Sequence, residues 1–339
     1  MALRASWEER FLIAAQTTGI STASDFTAGD IGISNASIYA VPLNNRPHFN
    51  PGQNIIDRRK AIGISTRRTG AGFEYDQGTR EPTVTYELDA NPYNLALLFW
   101  GLFQGGASEA DGTPFKKTYI PYTAADCEVW FSLLRKMSAS TGNSHAIHGA
   151  IPRSIRLSAD AGGPLVASVD FIGHTWLDTF NATSVVETYA EKAPLLWQNA
   201  GSVAGLYVAT TEVHMRGFDL TISNNATPVY YDAVTPEKYV LGDLTVEGNI
   251  YVPWSAATVG ANTQLDNFVN GTDTLLKIWW GTYAGATEGD VSLQVNMRYT
   301  GAEVGGEPET ELALPFVHAY DGTNDISFTC ADAYDMSIS

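Results

Sequence analysis

The sequence predicts a mainly β protein with two tandem antiparallel β-sandwich or barrel domains, each carrying one flanking α-helix. Three observations predict this class: apolar and polar residues alternate along several segments, turn residues separate them, and one block occurs twice. Residues 95–105 and 275–285 share the pattern L-x-x-[LI]-[FW]-W-G-x-[FY]-x-G, 180 positions apart. Because tryptophan is rare, this match indicates two copies of one unit in the chain.

Strict alternation predicts the strands. In Val291–Tyr299 every odd-numbered residue is apolar and every even-numbered residue is polar, which predicts one buried face and one face toward water or a partner. Phe218–Ser223 and Ser154–Ser158 alternate in the same way. Turns are predicted between strands, at the following places: Ala161–Pro164, Asn224–Asn225 and Asp321–Gly322.

The first repeated block is predicted to be a helix. Asn91 is a favourable N-cap residue and Pro92 suits the first helical position. Gly105 and Gly106 supply a stop at the other end. We therefore expect a helix between Asn91 and Gly105.

The second block is predicted to be the matching helix. Leu275, Trp279 and Tyr283 are spaced four residues apart, which would place them on one face of an amphipathic helix. Aromatic side chains at helical spacing are typical of core packing rather than of ligand stacking. The predicted core anchors of the two helices are Trp100, Phe103, Trp280 and Tyr283.

Further correspondences divide the chain. Asn44–Asn45 and Asn224–Asn225 are 180 apart, whereas Thr83–Val84 and Thr245–Val246 are 162 apart, so the first copy is 18 residues longer before its Thr-Val strand and the second 18 longer after it. Small and polar residues at 181–208 suit a linker. We therefore expect a first domain at 1–180 with a long loop at 46–80, a linker at 181–208 and a second domain at 209–339.

Charge is unevenly distributed along the chain, whose net charge is −17. From Glu212 onward there are 18 acidic and 4 basic residues, whereas the loop at 46–80 has 7 basic and 3 acidic residues. Such an acidic protein is not expected to grip nucleic acid. The basic loop either docks on acidic copies of the same chain or is solvated. Its candidate contact residues are Arg58, Arg59, Lys60, Arg67 and Arg68.

No catalytic or metal-binding constellation stands out. His145 and His148 lie in a predicted loop without a further ligand close in sequence, and His174, His214 and His318 are expected to be structural. Residues 321–325 lack the spacing and the closing glutamate of a calcium loop. Phosphate-binding, nucleophile-elbow and paired-cysteine motifs are missing from the sequence. We expect no catalytic residue, metal or cofactor.

The chain is expected to be made in a cytoplasm and not to span a membrane. Its N-terminus lacks the apolar region of a signal peptide, and its longest apolar run, Leu95–Phe103, is too short for a span. A sparse pair of cysteines in this setting predicts two buried free thiols, Cys127 and Cys330.

Three stretches resemble the tail tube proteins of long-tailed, non-contractile (siphovirus-type) bacteriophages. Phe11–Thr22 resembles the opening strand and Thr-rich turn of that family. Phe218–Asn225 with Leu241–Glu247 resembles its paired strands with an Asn-Asn turn, and Ser154–Phe171 resembles one of its hairpins. The resemblance touches both halves of the chain.

The resemblance implies a virion protein that assembles with itself. Single-domain members form hexameric rings whose inner sheets make a β-barrel pore, and the rings stack through a long loop around a DNA-conducting lumen. Two units in one chain would give trimeric, pseudo-hexameric rings, with the tape measure, tail terminator and tail tip proteins as further partners. Alternatively, the chain has one tube domain and one decoration domain.

Two other functions remain open at this level. A tandem β-domain carbohydrate-binding or adhesin protein would use some of the 8 tryptophans and 16 tyrosines to stack on sugars. An acidic hydrolase has only the 37 carboxylates in its favour. The helical spacing of the tryptophan blocks argues against the first.

Overall fold

The protein is mainly antiparallel β, as predicted. A computed structural model describes residues 9–16, 38–57, 75–105, 107–110, 115–122, 129–137, 144–180, 194–197, 204–209, 211–254, 261–281, 289–305, 311–320 and 326–332. Every strand pairing in this part of the chain is antiparallel, and two α-helices accompany the sheets.

The first half of the chain, up to residue 180, has one helix, α1 (Pro92–Leu102). Its strands are β1 (Glu9–Gln16), β2 (Ile38–Ala40), β3 (Gln53–Asp57), β4 (Tyr75–Arg80), β5 (Thr83–Asp89), β6 (Ala107–Ala110), β7 (Phe115–Tyr119), β8 (Trp130–Met137), β9 (Ser144–Asp160), β10 (Val166–Ile172) and β11 (Thr175–Phe180).

The second half also has one helix, α2 (Ala261–Val269). Its strands are β12 (Ala204–Val208), β13 (Thr211–Glu212), β14 (Gly217–Ser223), β15 (Thr227–Val229), β16 (Lys238–Val240), β17 (Thr245–Pro253), β18 (Thr274–Trp280), β19 (Val291–Tyr299), β20 (Glu303–Gly305), β21 (Glu311–His318) and β22 (Ile326–Asp332). The alternating segments at 154–158, 218–223 and 291–299 are strands, as predicted.

One sheet, here called the central sheet, runs through both halves in the order β5–β10–β9–β14–β17–β21. The halves meet where β9 pairs with β14, from Asp160 opposite Gly217 to Ser154 opposite Ser223. Backbone hydrogen bonding therefore continues across the junction without an edge.

The remaining strands form an outer layer in each half. In the first half β1 pairs with β2 and β8, and β9 pairs with β8 and β11. In the second half β12 pairs with β13 and β18, and β19 pairs with β18 and β22. A register shift beside Gly149, whose φ is +58°, lets the long strand β9 leave the central sheet and enter the outer layer.

The same succession of pairings therefore occurs twice. The outer strands β1–β8–β9–β11 correspond to β12–β18–β19–β22, and the central strands β5–β10–β9 correspond to β17–β21–β19. A hairpin precedes β5 (β3 with β4) and another precedes β17 (β15 with β16). The first hairpin is the longer one, and the extra length lies in the basic stretch.

Matching turns fix the register between the two sets. The Asn50 side chain accepts a hydrogen bond from the Gly52 amide at 2.9 Å, and the Ser223 hydroxyl accepts one from the Asn225 amide at 3.3 Å. Gly52 and Asn225 both have positive φ, +62° and +49°. Asn50 lies opposite Thr83, and Ser223 lies opposite Thr245. Thr83 therefore corresponds to Thr245, as the Thr-Val spacing indicates.

Helix α1 forms where it is predicted. The Asn91 side chain accepts a hydrogen bond from the Asn94 amide at 2.8 Å and caps the helix, and Pro92 takes the first position. Every helical residue except Trp100 is buried, because α1 lies between β9 and β22.

The predicted helix at 275–285 is wrong, because Thr274–Trp280 is a strand. Leu276, Ile278 and Trp280 alternate into the core, and the strand is paired on both sides, with β12 and with β19. A strand between two partners under a covering layer is apolar on both faces, so its run of apolar residues resembles a buried helix. The second helix lies earlier, at Ala261–Val269, so the 18-residue excess expected between strand and helix in the second copy is also wrong.

A single hydrophobic core extends through both halves. Trp197, in the predicted linker, is 2% exposed and its ring lies 5.6 Å from that of Phe218 and 5.9 Å from that of Trp280. β7 of the first half pairs with β22 of the second, and the Phe99 ring stacks on Phe328 at 4.1 Å. The two halves are therefore joined by apolar packing as well as by the central sheet.

Candidate functional site

The face of the central sheet that points away from the core is polar and acidic. Burial alternates along its strands, so that every second side chain reaches this face. The carboxylates on it are Glu87, Asp89, Asp160, Asp170, Asp219, Glu247 and Glu311, with serines and threonines between them. This surface, here called the acidic face, spans both halves of the chain.

Hydrogen bonds between strands order part of the acidic face. Asp170 on β10 accepts from the Thr85 hydroxyl at 2.6 Å and from the Ser154 hydroxyl at 3.1 Å. It thereby links β5, β10 and β9 through side chains as well as through the backbone. Charge-assisted bonds of this kind hold a carboxylate in place without removing its charge.

One ion pair crosses the junction between the halves. The Arg156 guanidinium on β9 donates to both carboxylate oxygens of Asp219 on β14, with Nε 3.1 and 3.0 Å from them. The hydrogen bond and charge of Asp219 raise the pKa of Arg156. At the margin of the face, Arg216 pairs with Glu311 at 3.2 Å. These two arginines are therefore neutralised locally, and the acidic face keeps its negative character.

The central sheet ends on two exposed edges in the described part of the chain. At one end, residues 41–50 run beside β5, where the Asn44 amide donates to the Glu87 carbonyl at 2.8 Å and Asn50 bridges to Thr83. At the other end, β20 pairs with β21 on one side, and its three side chains are exposed, including Val304 at 55%. An exposed strand edge offers unpaired amides and carbonyls to another chain.

The predicted core anchors have different fates. Phe103 is 1% exposed and packs against Phe99 at 5.4 Å, and Trp100 is partly buried with its ring 5.7 Å from Phe131. Trp280 is 2% exposed but lies on β18 rather than on a helix. Tyr283 lies outside the described residues.

The predicted contact loop is only partly visible. The candidate residues Arg58, Arg59, Lys60, Arg67 and Arg68 lie outside the described residues, which include the hairpin arms β3 and β4 on either side. They remain predictions.

The histidines are built into strands. The prediction of a loop at His145 and His148 is wrong, because both lie on β9. His148 is 2% exposed with Nδ1 3.1 Å from the Ser132 hydroxyl, and burial lowers the pKa of His145, with Arg135 adding to the effect. In the residues that the structure describes, no group of three or more His, Cys, Asp or Glu side chains could hold a metal ion.

These observations define a mainly antiparallel β protein whose one continuous sheet has an acidic face and two open edges. A model of the phage tail tube protein family matches residues 8–329, and the chain belongs to that family. It is a structural component of a phage tail. A search of curated proteins finds no significant match. Within the described residues, neither helix has the length and apolarity needed to cross a bilayer.

Sequence reasoning missed the acidic face and the two edges. Alternation shows that a strand has two faces, but it does not show which strands become neighbours. The ion pair of Arg156 with Asp219 joins residues 63 positions apart, and no local pattern connects them. The exposed Val304, on a strand of only three residues, was too short a signal to find.

Proposed function

We propose that the chain is a tail tube subunit with two fused tube units, and that three chains close into a pseudo-hexameric ring. The first unit comprises the strands up to β11, and the second begins at β12, so the joining segment is shorter than the linker predicted at 181–208. Rings stack into a tube around a lumen lined by the acidic face, through which DNA passes.

The observation that carries the proposal is the pairing of β9 with β14. It joins the two units side by side and leaves the same two kinds of edge free at the ends of the chain. Repeating this junction between chains is a head-to-tail contact, which closes into a ring when the rotation permits. In a family whose single-domain members form six-membered rings, two positions per chain require three chains.

The register of the contact between chains follows from the internal one. Ser158 on β9 lies opposite Asp219 on β14. Its counterpart in the second unit is Glu303 on β20, because the two residues occupy the same place beside β10 and β21. The counterpart of Asp219 is Asn44, beside Glu87 of β5. We therefore expect Glu303 of one chain to lie near Asn44 of the next.

The acidic face suits a passage for DNA. Carboxylates repel phosphates, and a wall without free arginines offers few places where DNA would stick. Asp219 and Glu311 neutralise Arg156 and Arg216, which keeps the two cations from binding the backbone.

Stacking is assigned to the basic loop. The hairpin of β3 and β4 carries it away from the central sheet, and its candidate residues Arg58, Arg59, Lys60, Arg67 and Arg68 would meet the acidic neighbouring ring. Opposite charges at such a contact guide register and rate of association more than affinity. Tape measure, terminator and tip proteins would contact the ends of the tube, and synthesis would take place in the host cytoplasm.

Electron microscopy of the purified protein tests the proposal. We expect closed rings or tubes with a central lumen, and masses that correspond to trimers. A chain that stays monomeric at high concentration, with no rings or tubes in the images, would contradict the proposed function.

A further inference from the structure

We infer that the exposed face of α2, formed by Asp266, Val269 and Asn270, docks on β11 of the next copy of the chain, around Trp176. The inference rests on the proposed ring and deepens it. It names a second contact between copies, in the outer layer, away from the strand edges of the central sheet.

The two helices end in the same hydrogen-bonded motif, which fixes their register. At the end of α1, the Gly105 amide donates to the Trp100 carbonyl at 2.8 Å, and at the end of α2 the Thr272 amide donates to the Asn267 carbonyl at 3.0 Å. The residue before each donor has positive φ: +55° at Gln104 and +60° at Gly271. Trp100 therefore corresponds to Asn267, and the rest of each helix follows.

This register matches the faces that pack inside each unit. Leu98 of α1 is buried in the first unit, and its counterpart Leu265 packs against the core of the second. Leu97 is 3% exposed and its counterpart Gln264 is 1% exposed, with its side-chain oxygen 2.9 Å from the Tyr299 hydroxyl. The agreement supports the alignment independently of the capping motif.

The opposite faces differ in what covers them. On α1, Phe99, Leu102 and Phe103 are at most 1% exposed, because the second unit lies against them. On α2, the counterparts Asp266, Val269 and Asn270 are all exposed, and Val269 is 72% exposed. The face of α2 that is bare in the single chain is thus the face that a neighbouring unit covers on α1.

The receiving strand follows from the same correspondence. Phe328, on which Phe99 stacks, lies opposite Leu293 of β19. Trp176 lies opposite Ile147 of β9, and Ile147 and Leu293 occupy equivalent places beside β8 and β18. Trp176 of β11 is therefore the counterpart of Phe328.

Trp176 has the properties of a partly finished contact. It is half-buried, whereas Phe328 is 1% exposed, and its ring lies 6.1 Å from that of Phe49. Further cover is missing there: β22 is also paired with β7, while no strand of the described residues pairs with the outer edge of β11. A unit of a next copy, placed as the second unit is placed on the first, would bring α2 onto Trp176.

Substitutions on α2 test this contact in the full chain. Val269→Arg places a charge in the seam between copies and should weaken trimer formation at least about tenfold, as loss of a central interface contact does. Asn270→Arg should act in the same direction. Asp266→Phe, which introduces the residue type of Phe99, should strengthen the trimer by about tenfold. Val234→Arg, at an exposed valine away from α2, is the matched control.

Trimer dissociation is measured by analytical ultracentrifugation, with circular dichroism to confirm folding. Trimers of wild type and of the control, with weaker trimers of both arginine variants, would support the inference. If the wild type forms trimers and the folded Val269→Arg and Asn270→Arg variants form them equally well, the inference is overturned while the ring stands. If the wild type forms no ring at all, the proposed function itself fails.

Discussion

Helices α1 and α2 occupy equivalent places in the two halves of the chain, yet their sequences differ in character. α1 is apolar on all sides, with Leu95, Ala96 and Phe99 fully buried. α2 is amphipathic, and Asp266, Val269 and Asn270 face outward. The difference shows that the surroundings decide the composition of a helix: α1 has a neighbouring unit permanently attached to it, whereas α2 has none within the chain.

This contrast also distinguishes two kinds of seam. The seam inside the chain combines β9–β14 pairing, the Phe99–Phe328 stack and the β7–β22 pairing. The proposed seam between copies keeps the strand pairing but replaces the aromatic stack with polar residues. A subunit built in this way folds alone and associates through a weaker contact, which suits ordered assembly.

The largest effect is expected from Phe99→Ala in α1. It removes a buried ring that contacts both units and should lower the free energy of unfolding by about 3–5 kcal/mol. The equivalent change in α2, Asp266→Ala, should stay within about 0.5 kcal/mol because the side chain is exposed. Urea unfolding of both variants measures the difference, and equal losses would contradict the comparison of the two helices.

Removing the cap of α1 should have a smaller effect. Asn91→Ala leaves the Asn94 amide without its side-chain acceptor and should cost about 1 kcal/mol. Asn91→Asp, which retains the accepting oxygen, is the control and should preserve most of the stability. Both are measured by thermal unfolding, and an alanine variant as stable as the wild type would remove the cap from this account.

The ion pair at the inner seam should affect DNA more than stability. Asp219→Asn frees the Arg156 guanidinium on the acidic face, so assembled protein should retain DNA more strongly at low salt. Because the pair is exposed, unfolding should change by at most about 1 kcal/mol. Glu247→Gln removes a carboxylate without freeing an arginine and is the control. Binding curves at two salt concentrations that show equal affinity for both variants would count against the role of the pair.

The smallest effect concerns histidine beside β11. Burial lowers the pKa of His174, so the unfolded chain binds its proton more readily than the folded chain. The resulting contribution to stability is present above the ordinary histidine pKa of about 6.5 and decreases as pH falls below it. His174→Asn should therefore lose less stability than the wild type between about pH 7.5 and pH 5.5, measured by urea unfolding. Parallel losses in the two proteins would exclude His174 as the source.

The sequence predicted those features that local chemistry determines. Asn91, Pro92 and Gly105 marked α1 correctly, because capping and helix termination involve neighbouring residues. Strict alternation identified β14 and β19. The Thr-Val spacing also agreed with the register of the two halves.

Features that depend on distant partners were not predictable in the same way. The block at 275–285 resembles α1 in its letters, but Ile278 and Trp280 lie on a strand between two others. α2 was missed because polar residues dominate its sequence. Only the fold shows that Arg156 meets Asp219, since the pairing of β9 with β14 brings them together.

A cross-sectional reconstruction of the assembled tube tests the central claim most directly. We predict three chains per ring, each filling two adjacent positions of the wall, with α1 inside a chain alternating with α2 at the contacts between chains. A ring of six chains, with one half of each in the wall and the other half outside it, would contradict this account.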